Sequence, residues 1–404
     1  MLLSMPKGIS GQDEKLTLAS ALGYAFEHNP DLKKIEKQIE AEEYAWQLET
    51  GLLSPELSFF REGMDPEGNF PFAEQRISLT QTLESPLTIG SRVKAAKKGV
   101  DVLVQQKSSY EKKLRAEVKS NYIEVLYARQ SLSLRKSQLQ LARDLYDAVF
   151  SRSESGMATG LELLNAELQL AEAENDHDNT TRELHLARYN LFKTIGLSPE
   201  EQYYNITFSD TLYIRSEKID QYEALSTIKE QPRYIAGQLS LEKNRLLEKS
   251  LRLDFLPSFY VSYYLQDYGE GLNFRGFESG ISIPLWFGIE QKSRIRMARI
   301  RTDELSWQQQ ATLLEMKKEI EHAWHSYEEY GKMVQRFQET IAESSEKLQR
   351  LTLEAYRIGE IDLLNLLNAQ QIYLRSRQRY LNALRQYYLQ AVELEKFFQD
   401  EFVY

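Results

Sequence analysis

The side chains best suited to chemistry in this chain of 404 residues are among its five histidines. His322 and His325 follow Glu319 at helical spacing, so all three share one helix face, as Glu-x-x-His motifs do when they ligate metals inside helical bundles. Such a site needs further inward-pointing ligands, and the residues read as a solvated helix face. His177, set between Asp176 and Asp178, reads the same way. No Gly-x-Ser-x-Gly, phosphate-binding loop or His-Glu-x-x-His occurs, and Gly269-x-Gly271 falls in a hairpin loop with no helix to receive a phosphate. Cysteine is absent, which excludes disulfides, thiolate metal sites, Cys nucleophiles and a lipid on an N-terminal Cys. These residues predict no enzyme, no cofactor and no metal site.

The elements that carry these residues are long and charged. Charged residues make up 27% of the chain and no apolar run reaches the ~18 residues of a membrane-spanning helix, so contact with a bilayer would have to be made by strands. The net charge is −10 and the 50 basic residues are spread along helices, which argues against a nucleic-acid partner. Met1-Leu2-Leu3-Ser4-Met5-Pro6-Lys7 lacks the basic and then apolar pattern of a signal peptide. On that evidence alone the chain is either trimmed or cytoplasmic.

Two glycines organise the helices. Tyr356-Arg357-Ile358-Gly359 interrupts a long helical pattern that restarts on Leu364, Leu367, Asn368 and Ala369; Gly156 is followed at the same spacings by Leu161, Leu164, Asn165 and Ala166. Each reads as the tip of a helical hairpin, with glycine where the chain leaves a helix through a left-handed conformation. The chain is an internal repeat. Pro30 recurs as Pro232, Pro55 as Pro257 and Ser91-Arg92 as Ser293-Arg294, all at an offset of 202, while Gly156 recurs as Gly359 one residue later. The domain boundaries expected are a first repeat over 1–196, a connector over 197–218 with a strand-like piece at Tyr203–Phe208, and a second repeat over 219–404.

Each repeat opens on a helix, the first over Leu16–Leu53, and then changes to a period of two. Leu57 and Phe59, with Ile77, Leu79 and Leu83, form one hairpin over 55–83; Phe259, Val261, Tyr263 and Leu265, with Ile281, Ile283 and Leu285, form another over 257–285. The helix before the Gly156 tip has about 65 residues, ~100 Å at ~1.5 Å per residue, and its partner after the tip only half that. The missing half is supplied if the Leu16–Leu53 helix stacks end to end on the post-tip helix. The last helix carries Leu366, Tyr373, Tyr380, Tyr387 and Leu394 at coiled-coil spacing. The fold class is mainly α with a small β part: coiled-coil hairpins plus four strands. Four strands cannot close a barrel, which needs about eight, so three chains sharing a twelve-stranded barrel are expected.

With these motifs in order and duplicated, the chain resembles the TolC family of outer-membrane efflux channels over nearly its whole length. The carrying residues are Arg152-Ser153-Glu154-Ser155-Gly156 with Leu161-Glu162-Leu163-Leu164-Asn165-Ala166, Gly359 with Leu363-Leu364-Asn365-Leu366-Leu367-Asn368-Ala369-Gln370, and the strand-to-helix crossings Ile77 to Ala96 and Ile281 to Ala298. Gln81-Thr82-Leu83-Glu84 with Gly90-Ser91-Arg92 looks most like the heavy-metal-efflux branch. Many relatives carry a lipid-modified N-terminal Cys, which this chain lacks.

The resemblance implies a homotrimer in the outer membrane, in contact with its lipid, with the helical part in the periplasm. It also implies a passive exit duct that docks onto a periplasmic adaptor serving an inner-membrane pump of the RND or ABC type. It places adaptor docking at Arg152, Gly156, Met157, Gly359 and Glu360. The periplasmic gate falls on Tyr356, Asp362, Asn365, Asn368 and Glu162; inward acidic residues of the family are replaced here by Asn365 and Asn368. Aromatic residues at strand ends, Phe59, Phe259, Tyr263, Trp286 and Phe287, are expected to form a membrane girdle. The competing reading is a soluble or peripheral coiled-coil scaffold without transport activity.

Overall fold

The computed structural model describes residues 15–50, 53–63, 72–198, 206–213, 219–269, 271–272, 274–283, 287–398, 401 and 403. The first repeat runs β1 (Lys15–Leu16), α1 (Leu18–His28), α2 (Pro30–Glu42), α3 (Ala45–Leu48), β2 (Glu56–Glu62), β3 (Glu74–Leu83), α4 (Pro86–Glu154) and α5 (Gly160–Ile195). The second runs β4 (Thr207–Phe208), α6 (Gln221–Ser226), a 3₁₀ turn (Ile228–Glu230), α7 (Pro232–Leu253), β5 (Ser258–Asp267), β6 (Phe274–Ser282), α8 (Phe287–Arg336), a π-helical turn (Phe337–Ile341), α9 (Ala342–Arg357) and α10 (Leu363–Glu395). The chain forms two compact units, one of residues 1–33, 110–228 and 315–404 and one of 34–109 and 229–314, so each draws on both repeats.

The single helix expected over Leu16–Leu53 is three. Pro30 pushes the preceding residue out of the helical region, and Asn29 sits at φ −62°, ψ 121°. Its side chain then does two jobs: Oδ1 accepts from the Leu32 amide at 3.0 Å, capping α2, and Nδ2 donates to the Thr194 carbonyl at 2.9 Å. α5 ends there on Gly196, at φ 80°, where a Cβ would come 2.5 Å from the His28 carbonyl oxygen. The end-to-end meeting is therefore made at the α1–α2 break, and α1 itself lies beside the end of α5. In the second repeat Gln231 is likewise extended before Pro232. The strand-like stretch is confined, among the described residues, to Thr207–Phe208, which pairs in parallel with Lys15–Leu16; Tyr203–Asn205 lie outside them.

The one-residue change in repeat offset has a structural counterpart. α4 is uninterrupted, whereas the matching helix of the second repeat carries the π-helical turn. A π-turn holds one extra residue inside an α-helix without rotating the next turns, so residues beyond it keep the face they have in the first repeat. Phe337, buried in this turn, stacks on Tyr380 with centroids 4.3 Å apart.

The core of the first unit is built on α4, α5 and α10, with Tyr122, Ile123, Leu126, Leu191, Phe192 and Leu384 essentially inaccessible. Two of its buried polar groups, Tyr122 and Lys119, find partners far along the chain. Tyr122 places its hydroxyl 2.7 Å from the Asp210 carboxylate and 2.9 Å from the Leu16 carbonyl, and burial followed by Asp210 pushes its pKa up. Lys119, 1% exposed, is bonded to buried Glu395 and lies 2.9 Å from Glu401. Burial lowers the pKa of Lys119 and raises that of Glu395.

Candidate functional site

The two hairpin tips share one construction. At the first, Gly156 has φ 72°, its amide donates to Ser153 at 3.0 Å and the Met157 amide donates to the Arg152 carbonyl at 2.8 Å. At the second, Gly359 has φ 81°, its amide donates to Tyr356 at 3.1 Å and the Glu360 amide donates to Ala355 at 2.9 Å. Both are glycine C-caps with the bond pattern that satisfies the last carbonyls of a helix. Each following helix starts on a side-chain cap. Thr159 and Glu162 form a reciprocal capping box, with the Thr159 amide 2.7 Å from Glu162 Oε2 and the Glu162 amide 3.2 Å from Thr159 Oγ1. Asp362 accepts from the Asn365 amide at 2.8 Å. The bonds from Thr159 hold the Glu162 carboxyl below its ordinary pKa.

Of the residues assigned to the gate, these contacts commit Glu162 and Asp362 to capping. Asn365 and Asn368 are exposed on α10, one turn apart. Tyr356 is elsewhere: it is buried with Leu145, Val149, Ala166, Leu363 and Leu366 in a cluster that joins the two hairpins, and the Arg152 guanidinium lies 5.5 Å from its ring centroid. The structure thus groups Tyr356 with Arg152 rather than with the two asparagines. Arg152 also reaches the Met157 carbonyl at 3.4 Å. Met157, Leu161, Ile358 and Leu364 stay exposed around the tips, giving each an apolar outer surface. Gly156 and Gly359 have open space where a Cβ would project.

The second unit holds the sheet, an antiparallel series in the order β2-β3-β5-β6. Register puts Leu57 opposite Leu79 and Leu79 opposite Tyr263; Leu83 faces Phe259, and Phe259 faces Ile281. These residues lie on one face, where Leu57, Phe59, Phe259, Tyr263, Phe277 and Ile281 are exposed large apolar side chains. The opposite face is mainly polar, with Phe60 and Phe274 as exposed apolar exceptions. Ser58 and Ser78 oxygens are 2.6 Å apart, Thr80 donates to Ser262 at 2.8 Å, and Gln266 donates to Glu74 at 2.6 Å. On that face Tyr260 and Tyr264 lie over Gly280 and Gly276, whose missing Cβ atoms leave room for the rings. The Arg76 guanidinium sits 4.8 Å from the Tyr264 centroid and 3.1 Å from Glu74. Alternation in the sequence marked both faces, but the β3–β5 pairing that joins the two hairpins was not legible there.

Phe59 and Phe259 sit toward opposite ends of the apolar face, while Tyr263 is mid-strand, 6.5 Å from the Phe277 ring. Trp286 lies outside the described residues, as does the Phe287 side chain; the Phe287 backbone opens α8. His325 is 3.8 Å from Glu321 and packs on Trp324, and His177 is 3.2 Å from Asp178. Among the described residues no group of three or more His, Cys, Asp or Glu could hold a metal ion, and no helix is long and apolar enough to cross a membrane.

The profile of the family described as "Outer membrane efflux protein" matches residues 21–197 and 237–398. The fold is similar to the CmeC outer membrane channel of Campylobacter jejuni (TM-score 0.83, 17% identity, covering 94% of this chain and 85% of that one). It is also similar to a membrane protein from Pseudomonas aeruginosa (0.81, 17%, 94% and 93%) and to the outer membrane protein VceC of Vibrio cholerae (0.80, 15%, 94% and 95%). No curated protein matches by sequence. The scaffold reading would leave the apolar sheet face without a partner, and the cytoplasmic reading of the N-terminus falls with it. The profile spans both repeats and the sheet between their helices, so the chain belongs to the outer membrane efflux protein family and is an outer-membrane efflux duct whose helical part lies in the periplasm.

Proposed function

We propose that three copies of this chain close one twelve-stranded barrel in outer-membrane lipid and form a passive conduit. Its two tips dock end-on onto a periplasmic adaptor that serves an inner-membrane pump. The observation that carries this reading is the sheet: one face is apolar and exposed, the other polar, and strands β2 and β6 are unpaired edges in the single chain. Open edges of this kind pair with other strands, and closure puts the apolar face toward lipid and the polar face toward a lumen. The exposed apolar side chains around Gly156 and Gly359 supply the docking surface. At the mouth Asn365 and Asn368 present amides where a cation would meet no concentrated negative field. Tyr356 and Arg152 act one layer behind them, holding the two hairpins together.

Light scattering of the detergent-extracted protein is expected to give the mass of three chains. Gly156→Val with Gly359→Val places a β-branched residue at positive φ at both tips. Efflux should be lost while trimer and membrane insertion persist. A monomeric mass, or efflux that survives the double variant, overturns the trimer or the docking assignment respectively.

A further inference from the structure

Resting on the trimer reading, we propose that Arg61 and Arg275 form a phosphate-binding site for outer-leaflet glycolipid at each joint between copies. The sheet sorts its charges by face. Among the described strand residues, alternation places Glu56, Glu62, Glu74 and Glu278 on the polar face, with Arg76 as the cation among them. The apolar face carries Arg61, Arg275 and Asp267 as its charged residues, and both arginines are exposed. The Asp267 carboxylate is taken by the loop it opens: it is 6% exposed, and its Oδ1 accepts from the Gly269 and Gly271 amides at 2.8 and 2.7 Å. The face turned to lipid therefore carries an excess of positive charge.

Position decides what this charge meets. The helical part lies in the periplasm, so the hairpin loops mark the outer end of the strands. Arg61 is the sixth of seven residues in β2 and Arg275 the second of nine in β6, so each stands one residue from the outer end of its strand. Leu57, Phe59, Phe277 and Ile281 lie deeper on the same two strands and the same face. Arginine is costly at the middle of a bilayer and nearly neutral at its boundary, where the stem lies along apolar surface and the guanidinium reaches the headgroups. The Arg61 guanidinium lies 4.7 Å from the ring centroid of Phe72, just before β3, which holds it at the level of the loop.

β2 and β6 are the two edges of the sheet, so within one chain the arginines stand three strands apart, ~14 Å at ~4.8 Å per strand. When β6 of one copy pairs with β2 of the next, the two come onto adjoining strands at the same end of the barrel. Like charges brought together on one face of a sheet repel, and an anion seated between them removes that repulsion. The outer leaflet supplies one. Its glycolipids carry phosphates at the hydrocarbon boundary, and guanidinium groups bind phosphate bidentately. Three joints give three sites per trimer.

The test uses the detergent-extracted full chain and purified lipid A bearing two phosphates, with bound lipid counted by native mass spectrometry. Wild type should retain up to three lipid A molecules per trimer. Arg61→Gln with Arg275→Gln should weaken binding at least tenfold while the trimer persists. Lipid A stripped of its phosphates should bind wild type no better than intact lipid A binds the double variant, and inorganic phosphate at the same concentration should not compete. Equal binding by wild type and double variant, or by lipid A with and without phosphates, overturns the site and leaves only an apolar annulus. Displacement by inorganic phosphate overturns the lipid assignment in favour of a free-ion site. Wild type that scatters as a trimer but retains no lipid A overturns the site and leaves the trimer reading standing, whereas a monomeric mass overturns both.

Discussion

Replacing Asn365 and Asn368 by aspartate tests the character of the mouth most directly. Both side chains are exposed on one side of α10, so the double variant adds two carboxylates per chain at neighbouring turns. The two carboxylates already nearby are differently placed. Asp362 and Glu162 each bond a backbone amide at a helix start, at 2.8 and 2.7 Å. There the partial positive charge of the helix N-terminus, about half a unit, offsets much of their field. A trivalent cation about 4 Å from one new carboxylate gains ~3 kcal/mol even at the dielectric of water, which is about a hundredfold in affinity. In the proposed trimer, further copies of the charge around the mouth increase this. The assay is planar-bilayer conductance at low ionic strength, because the Debye length is only about 10 Å at 0.1 M salt. A trivalent cation added on the periplasmic side should leave wild type nearly unblocked and block the double variant at concentrations at least a hundredfold lower. Strong block of wild type that is unchanged in the variant would show that capped carboxylates such as Asp362 form the ring, and would refute the amide mouth.

The buried pair of Lys119 and Glu395 predicts a contrast between single and double variants. Lys119→Met alone leaves a buried carboxylate without its partner and should cost about 3–5 kcal/mol, whereas Lys119→Met with Glu395→Leu should fall near wild type; chemical denaturation measures both. The Thr159 and Glu162 capping box should contribute about 1 kcal/mol, lost in Thr159→Ala. Because the folded-state pKa of Glu162 lies below its ordinary value, its share is present at neutral pH and disappears as pH falls through the depressed pKa. The protection factor of amides at the Gly156 tip, taken against the intrinsic exchange rate at each pH, should therefore fall on acidification in wild type and change little in Glu162→Gln. Finally, deleting Glu339 removes the extra residue of the π-helical turn and should leave the tip cluster intact. Deleting Lys136, its counterpart in the uninterrupted α4, should turn every residue toward the tip by about 100° and lose the cluster, read as a fall in melting temperature and in trimer yield.

Local chemistry is what the sequence determines here. A glycine with a leucine face after it, a proline that cannot continue a helix, and a switch from period 3.6 to period 2 each act within a few residues, so the tips, the four strands and the repeat were all legible without coordinates. The 203-residue spacing of Gly156 and Gly359, against 202 elsewhere, even carried the trace of the π-helical turn, though not its place. Long-range pairing had no such signature. Nothing local says that β3 joins β5, that Asn29 reaches Thr194, or that Lys119 finds Glu395 across 276 residues. The same holds for the gate. Tyr356 and Asn365 are close in sequence, yet Tyr356 packs inward between the hairpins while Asn365 points outward, because burial is decided by the helices that arrive from elsewhere in the chain. Residue type and spacing set which element forms, and tertiary packing alone decides which face of it meets water, lipid or another helix.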